Sequence, residues 1–229
     1  GYFVLAASGA TNVLYSANGT SWSQVSIGNT FNRTDGAYGN GKYVIVGTGQ
    51  TYNYSSNLTT WTSGTLPLTG DWRIAYGNGT FVALGYGTRQ IIYSYDGIYW
   101  NLANTKVDYA LNWTGLKYAN GRFIASSYSG TGSAYSLDGI NWYSAVGTGG
   151  ENLNQISYGN GVYFVNSYGS YYTSGDGTTY NNATSWSVAY EAGNTAYGLG
   201  KFQALGRFID GPTNTVTIGV VKKMLGTKS

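Results

Sequence analysis

The sequence contains no cysteine and no histidine, only 2 prolines, and charged residues at 9% of its length. Each scarcity excludes something. Without cysteine there is no disulfide framework and no thiolate chemistry. Without histidine the commonest general base, the commonest transition-metal ligand and every Ser-His or Cys-His nucleophile pair are gone. No cofactor and no metal site is therefore expected. No apolar run approaches the ~20 residues of a membrane-spanning helix, so no membrane insertion is expected. Nor does any stretch keep the helical period of about 3.6. The charged fraction lies far below the roughly 25% usual in soluble domains, which leaves solubility to hydroxyls and amides and suits an extracellular or virion surface. A net charge of +3 over 229 residues sets up no field that would draw nucleic acid. Lys222, Lys223 and Lys228 form the only basic cluster, read as a short solvated tail over 222–229.

What is present recurs in order. Tyr93-Ser94-Tyr95-Asp96-Gly97-Ile98-Tyr99-Trp100 has a clean second copy at Tyr135-Ser136-Leu137-Asp138-Gly139-Ile140-Asn141-Trp142 and a third, with Asn for Asp, from Tyr15 to Trp22. Looser copies run from Tyr54 to Trp61 and from Ser174 to Tyr180. The serines fall at 16, 55, 94, 136 and 174, steps of 39, 39, 42 and 38. Between them lies a second element, Tyr-Gly-Asn-Gly or close to it, at Tyr38, Tyr76, Tyr118 and Tyr158, with a degraded version at Tyr197. Asn-Gly between aromatic and β-branched residues is a strong hairpin signal, because a type I′ turn needs positive φ at both central positions. Gly1-Tyr2-Phe3-Val4 reads as the second half of such a hairpin.

Each repeat parses into four short antiparallel strands, for example 73–76, 80–85, 90–95 and 98–102. Such a meander cannot cover both its faces alone, and radial stacking of copies does. The expected fold is all-β, a β-propeller of four-stranded antiparallel blades, six by the count of second strands and five as the alternative. It is expected as one domain over 1–221.

The recurring Ser-x-Asp/Asn-Gly-x-x-Trp resembles the Asp-box of the sialidase-like, or BNR-repeat, β-propellers, shortened by one residue between Asp and Gly. Related repeats occur in sialidases, photosystem assembly factors, secreted lectin-like proteins and phage tail proteins. The resemblance implies that Asn18, Asn57, Asp96, Asp138 and Asp176 are structural, in the turn between strands 3 and 4. Residue chemistry agrees: Asp or Asn can accept from backbone N–H groups two residues on, and Gly supplies positive φ. Trp22, Trp61, Trp100 and Trp142 are expected to cover these turns as core.

In such a meander the 1-2 and 3-4 turns emerge on one face and the 2-3 and 4-1 loops on the other. The acids outside the boxes, Asp35, Asp71, Asp108, Glu151, Glu191 and Asp210, all fall on the second face, with Arg33, Arg73, Arg89 and Arg207. Trp72, Trp113 and Trp186 precede strand 1, and Tyr86, Tyr128 and Tyr168 open the 2-3 loops. Aromatics and charges on variable loops of a rigid scaffold are where binding usually lives. Trp72, Trp113, Trp186, Arg73, Arg89, Tyr86, Tyr128 and Tyr168 are therefore the candidate ligand contacts. The bland alternative is that longer loops merely collect polar residues.

Three functions remain. The first is a non-enzymatic recognition module that binds a cell-surface glycan or receptor from a virion or cell surface. The second is an architectural module that contacts other protein chains of a larger assembly. The third, suggested by the resemblance, is a sialidase-type glycoside hydrolase; no Tyr and Glu stand out as a nucleophile pair and the arginines show no triad pattern, so no catalytic residue is assigned.

Overall fold

The computed structural model describes residues 1–107, 112–128, 132–148, 151–167, 170–183, 192–198, 201–206 and 218–220, and among them there is no helix. The chain falls into two compact units, Gly1–Thr105 with Leu137–Asn141, and Lys106–Ser136 with Trp142–Ser229.

In the first unit, β1 (Phe3–Ala6), β2 (Asn12–Ser16) and β3 (Ser23–Ser26) form a three-stranded antiparallel sheet. A six-stranded sheet follows, built from β4 (Arg33–Gly39), β5 (Lys42–Ser55), β6 (Thr62–Gly77), β7 (Thr80–Tyr86), β8 (Ile91–Ser94) and β9 (Asn101–Leu102). It is two repeats joined, because β5 and β6 run on where open 2-3 and 4-1 loops were expected. Thr48 pairs Asp71, Gly49 pairs Gly70, and the register resumes at Thr51 with Thr65 across a bulge. Gly49, at φ 98, turns the chain there, and its carbonyl accepts from the Trp72 indole N–H at 2.9 Å. The core of this unit gathers Val44, Val46, Tyr52, Leu66, Trp72, Ile74, Phe81, Ala83 and Ile92. A smaller cluster of Val13, Ile27 and Ile45 takes in Val4 and Ala6 from the first sheet.

After β10 (Asn104–Lys106), the second unit repeats the scheme. It holds β11 (Trp113–Ala119), β12 (Arg122–Ser127), β13 (Ser133–Ser136) and β14 (Asn141–Ser144), then β15 (Leu153–Gly159), β16 (Val162–Ser167), β17 (Tyr171–Ser174) and β18 (Asn181–Asn182). The described chain closes with β19 (Ala192–Gly198), β20 (Lys201–Gly206) and β21 (Ile218–Val220). Its core centres on Ile124, Leu153, Tyr163, Val165, Tyr172 and Tyr180.

Both repeated turns form as their residues dictate. Asn40, Asn78, Asn120 and Asn160 hold φ between 45 and 50, and each following Gly lies between 74 and 77, the signature of type I′ hairpins. In the second turn the carboxylate or amide oxygen collects the two N–H groups beyond it. Asp96 Oδ1 accepts from Ile98 at 2.8 Å and Tyr99 at 2.9 Å, and Ser94 Oγ accepts from Gly97 at 2.9 Å. Asn18, Asn57, Asp138 and Asp176 accept in the same pattern. Burial opposes ionisation of Asp96, but the N–H groups of Tyr99 and Ile98 and the Ser94 hydroxyl outweigh it and hold the acid below its ordinary value. All five residues act as turn formers.

The turn glycines pack on the aromatic residue of a second strand, as Gly97 does on Phe81 and Gly177 on Tyr163. The tryptophans that end the turns divide. Trp142 is fully buried, and Trp61 and Trp100 are half-buried. Trp22 departs from the expected core position at 39% exposure, because its turn lies over Phe3, a ring that is itself open to solvent.

Candidate recognition surface

Every first strand described is hydrogen-bonded to its second strand, as β4 to β5, β6 to β7, β11 to β12, β15 to β16 and β19 to β20. β1 corresponds to a second strand, yet among the described residues it pairs only with β2 and stands at the edge of its sheet. Beside that edge is a cavity of about 410 Å³, within the first unit, lined by Tyr2, Val4 and Ala6 of the β1 region and by Arg33, Asp35, Tyr38, Tyr43 and Ile45 from β4 and β5.

Its wall is aromatic and aliphatic with one cation and one acid. Tyr38 and Tyr43 pack ring to ring at 4.3 Å. Burial, then the neighbouring Tyr38 and Tyr2, push the Tyr43 hydroxyl up from its ordinary value. Arg33 is only 7% exposed. Its guanidinium donates to the carbonyls of Ala7, Ala10 and, at 3.0 Å, Asn29, and it lies over the Phe31 ring at 4.9 Å. Burial lowers its pKa. This arginine straps the end of β1 to β4. Asp35 accepts from the N–H of Gly36 at 2.8 Å and of Ile74 at 3.0 Å, so it serves the sheet as well as the cavity.

The residues expected to touch a ligand are placed differently. Trp72 and Trp113, expected as ligand contacts, are 0% and 1% exposed, so neither indole is open to a ligand. Trp72 lies within β6 and Trp113 opens β11, where alternation turns the indole inward and the half-buried neighbours to the other face. Arg73 is partly exposed and pairs with Asp71 at 3.3 Å. Tyr86 stands directly across from Asp71 on the adjoining strand and is 45% exposed, so Asp71, Arg73 and Tyr86 form one surface patch. Arg89 lies nearby in the chain, exposed in the β7–β8 turn at φ 61. Tyr128, in the second unit, is 38% exposed. Trp186, Tyr168, Asp108, Glu191, Arg207, Asp210 and the tail 222–229 lie outside the described residues.

Reading by loop type overlooked the cavity. The signal for it was available in the repeat alignment, which sets the aromatic residues of Gly1-Tyr2-Phe3-Val4 beside the Tyr38 hairpin of the next repeat.

No protein-family model matches the chain, and no curated protein matches it in sequence. Solved structures do match in fold. One is described as YCF48 bound to D1 peptide, 14% identical, with a TM-score of 0.66 over 90% of this chain and 71% of that one. Another is a catalytically inactive histidine-to-alanine variant of virginiamycin B lyase from Staphylococcus aureus with quinupristin, 10% identical, TM-score 0.74, covering 90% of this chain and 74% of that one. A streptogramin B lyase matches at 13% identity and a TM-score of 0.70, over 86% and 70% of the two chains. Likeness at this identity shows the fold alone: the chain is an all-β β-propeller protein.

Proposed function

We propose that this chain is a non-enzymatic β-propeller module that recognises a polypeptide segment of a partner, working on a virion or cell surface. The observation that carries the reading is the cavity of the first unit, where Tyr2 and Tyr38 are exposed beside Val4, Ala6, Val44 and Ile45. Burial of Trp72 and Trp113 removes the strongest sugar platforms and tilts the choice from glycan to polypeptide. A concave site lined by rings and aliphatic side chains with one cation and one acid takes the side chains of an extended peptide. The lyase likeness carries no activity across: that neighbour is described as inactive on losing a histidine, and this chain has 0 histidines. The structural neighbour described as bound to a peptide is a precedent for the fold's use and nothing more.

A second reading, glycan binding, is favoured by the Asp71–Arg73–Tyr86 patch, an exposed ring beside an ion pair. The two are separated by probing one glycan array and one array of extended peptides. Peptide signals reduced at least tenfold by Tyr38→Ala, with an empty glycan array, are expected. Glycan signals abolished by Tyr86→Ala, or turnover of a fluorogenic sialoside, would contradict the proposal.

A further inference from the structure

The chain holds five Asn-Gly pairs, at Asn18, Asn40, Asn78, Asn120 and Asn160. In such a pair the main-chain nitrogen of the glycine can attack the side-chain carbonyl carbon of the asparagine, because the glycine has no side chain to stand in the way. In a folded chain the rate depends on how firmly the amide is held. All five asparagines are exposed, and the four in type I′ hairpins share φ between 45 and 50. A Cβ added to Gly41, Gly79, Gly121 or Gly161 would meet nothing within 4 Å, so the approach is equally open at these four. What differs is the anchor.

Asn18 is the most constrained. Its Oδ1 accepts from the N–H groups of Thr20 and Ser21, each at 2.9 Å, and from the Ser16 hydroxyl at 3.1 Å, while the Gly19 N–H, the attacking group, donates to Ser16 Oγ at 2.8 Å. Asn40 and Asn78 are tied across to the turn of another repeat: Nδ2 donates to the carbonyl of Tyr95 at 3.1 Å and of Leu137 at 3.2 Å, in each case the residue after the turn serine. The equivalent carbonyl for Asn120 is that of Gly175, which follows Ser174. Asn120 makes no side-chain hydrogen bond to it or to any other group among the described residues. In this repeat the grip has moved two residues along, where Arg122 donates to the Asp176 carbonyl and lies over the Tyr135 ring at 5.4 Å. The arginine holds the two repeats together and leaves the asparagine amide loose. The position that the same spacing would set against Asn160 lies outside the described residues.

We propose that Asn120 is a site of spontaneous covalent modification, converting to aspartate and isoaspartate ahead of Asn18, Asn40 and Asn78. The Gly121 nitrogen bonds to Asn120 Cγ, the Cγ–Nδ2 bond breaks, and ammonia leaves carrying the proton of the Gly121 N–H, which closes a succinimide ring. Water then opens the ring at either carbonyl. Opening at the side-chain carbonyl leaves ordinary aspartate, and opening at the main-chain carbonyl leaves isoaspartate, whose main chain runs through the side-chain carbon. Water enters and ammonia departs, and no oxidant or reductant is needed. Both products put a carboxylate where a neutral amide stood. Isoaspartate also adds a methylene to the two-residue loop between Ala119 and Arg122, which pair across β11 and β12, so that hairpin loses its type I′ geometry.

The test is peptide mapping by mass spectrometry on the full chain, held folded in mildly alkaline buffer and sampled over time for the mass gain of amide-to-acid conversion at each site. Asn120 is expected to convert about two- to tenfold faster than Asn40 and Asn78, the worth of one side-chain hydrogen bond, with Asn18 the slowest. In denaturant the anchors are gone, and the four sites should approach a common rate, which separates the effect of the fold from that of neighbouring residues. Equal rates at Asn40, Asn78 and Asn120 in the folded chain, or the same ordering folded and denatured, would overturn the proposal.

Discussion

Tyr76 lies against Gly39 so closely that a methyl group on that glycine would sit 2.0 Å from the ring carbons. One repeat thus grips the next through a tyrosine and the absence of a side chain, and the Asn of the hairpin adds a second grip: Asn40 Nδ2 donates to the Tyr95 carbonyl at 3.1 Å. The Tyr-Gly-Asn-Gly element is at once a turn and a packing seat.

Gly39→Ala is expected to destabilise the fold by about 1–3 kcal/mol, the usual range for an overpacked core. A melting temperature lower by roughly 2–4 °C per kcal/mol follows for a chain of this size. Gly159→Ala against Tyr197 should behave alike. Gly175→Ala, where an added Cβ meets nothing within 4 Å, is the control and should leave the melting temperature unchanged.

Leu58 stands where its counterparts have glycine, at φ 66 and almost wholly buried. Left-handed φ costs an L residue roughly 1–2 kcal/mol, while removing a buried leucine side chain costs about 2–5 kcal/mol. Packing outweighs strain, so Leu58→Gly should be net destabilising by roughly 1–3 kcal/mol in chemical denaturation. A stabilised variant would show that the side chain contributes little.

Asp176 is held below the ordinary carboxylate range, first by the Thr178 hydroxyl and N–H and then, against the opposing effect of burial, by the Thr179 N–H and the Ser174 hydroxyl. A lowered carboxylate stabilises the fold above the unfolded value of about 4, and that stability is lost as pH falls through the lowered value. Asp176→Asn should therefore lower the melting temperature at pH 7 and do so by less at pH 3. Asn18 and Asn57 already serve in the same turn, so the variant should fold.

Tyr52 donates to the Ile98 carbonyl at 2.7 Å, and burial pushes its pKa up to about 12. A raised tyrosine contributes stability that is intact below the unfolded value of about 10 and is lost as pH rises through the folded one. Stability should fall between pH 10 and 12. Tyr52→Phe should be less stable at pH 7 by about 1 kcal/mol and show a shallower alkaline decline.

Much of this fold was legible because its rules are local. Asn-Gly dictates positive φ, Ser-x-Asp gathers two N–H groups, and the forty-residue spacing counts repeats. The long pairing of β5 with β6 was not legible, since a bulge at Gly49 and register across residues 48–71 depend on which strands meet. The candidate site was misread for a related reason. Trp72 and Tyr86 both look like surface aromatics in a polar loop, and only strand alternation against a neighbour buries the first and exposes the second.

The most direct test of the account is binding of an array of extended peptides to the full chain, read with and without Tyr38→Ala. The account predicts peptide signals that fall at least tenfold with the variant while a glycan array stays empty. Peptide signals that the variant leaves unchanged, or an empty peptide array beside glycan signals abolished by Tyr86→Ala, would contradict it.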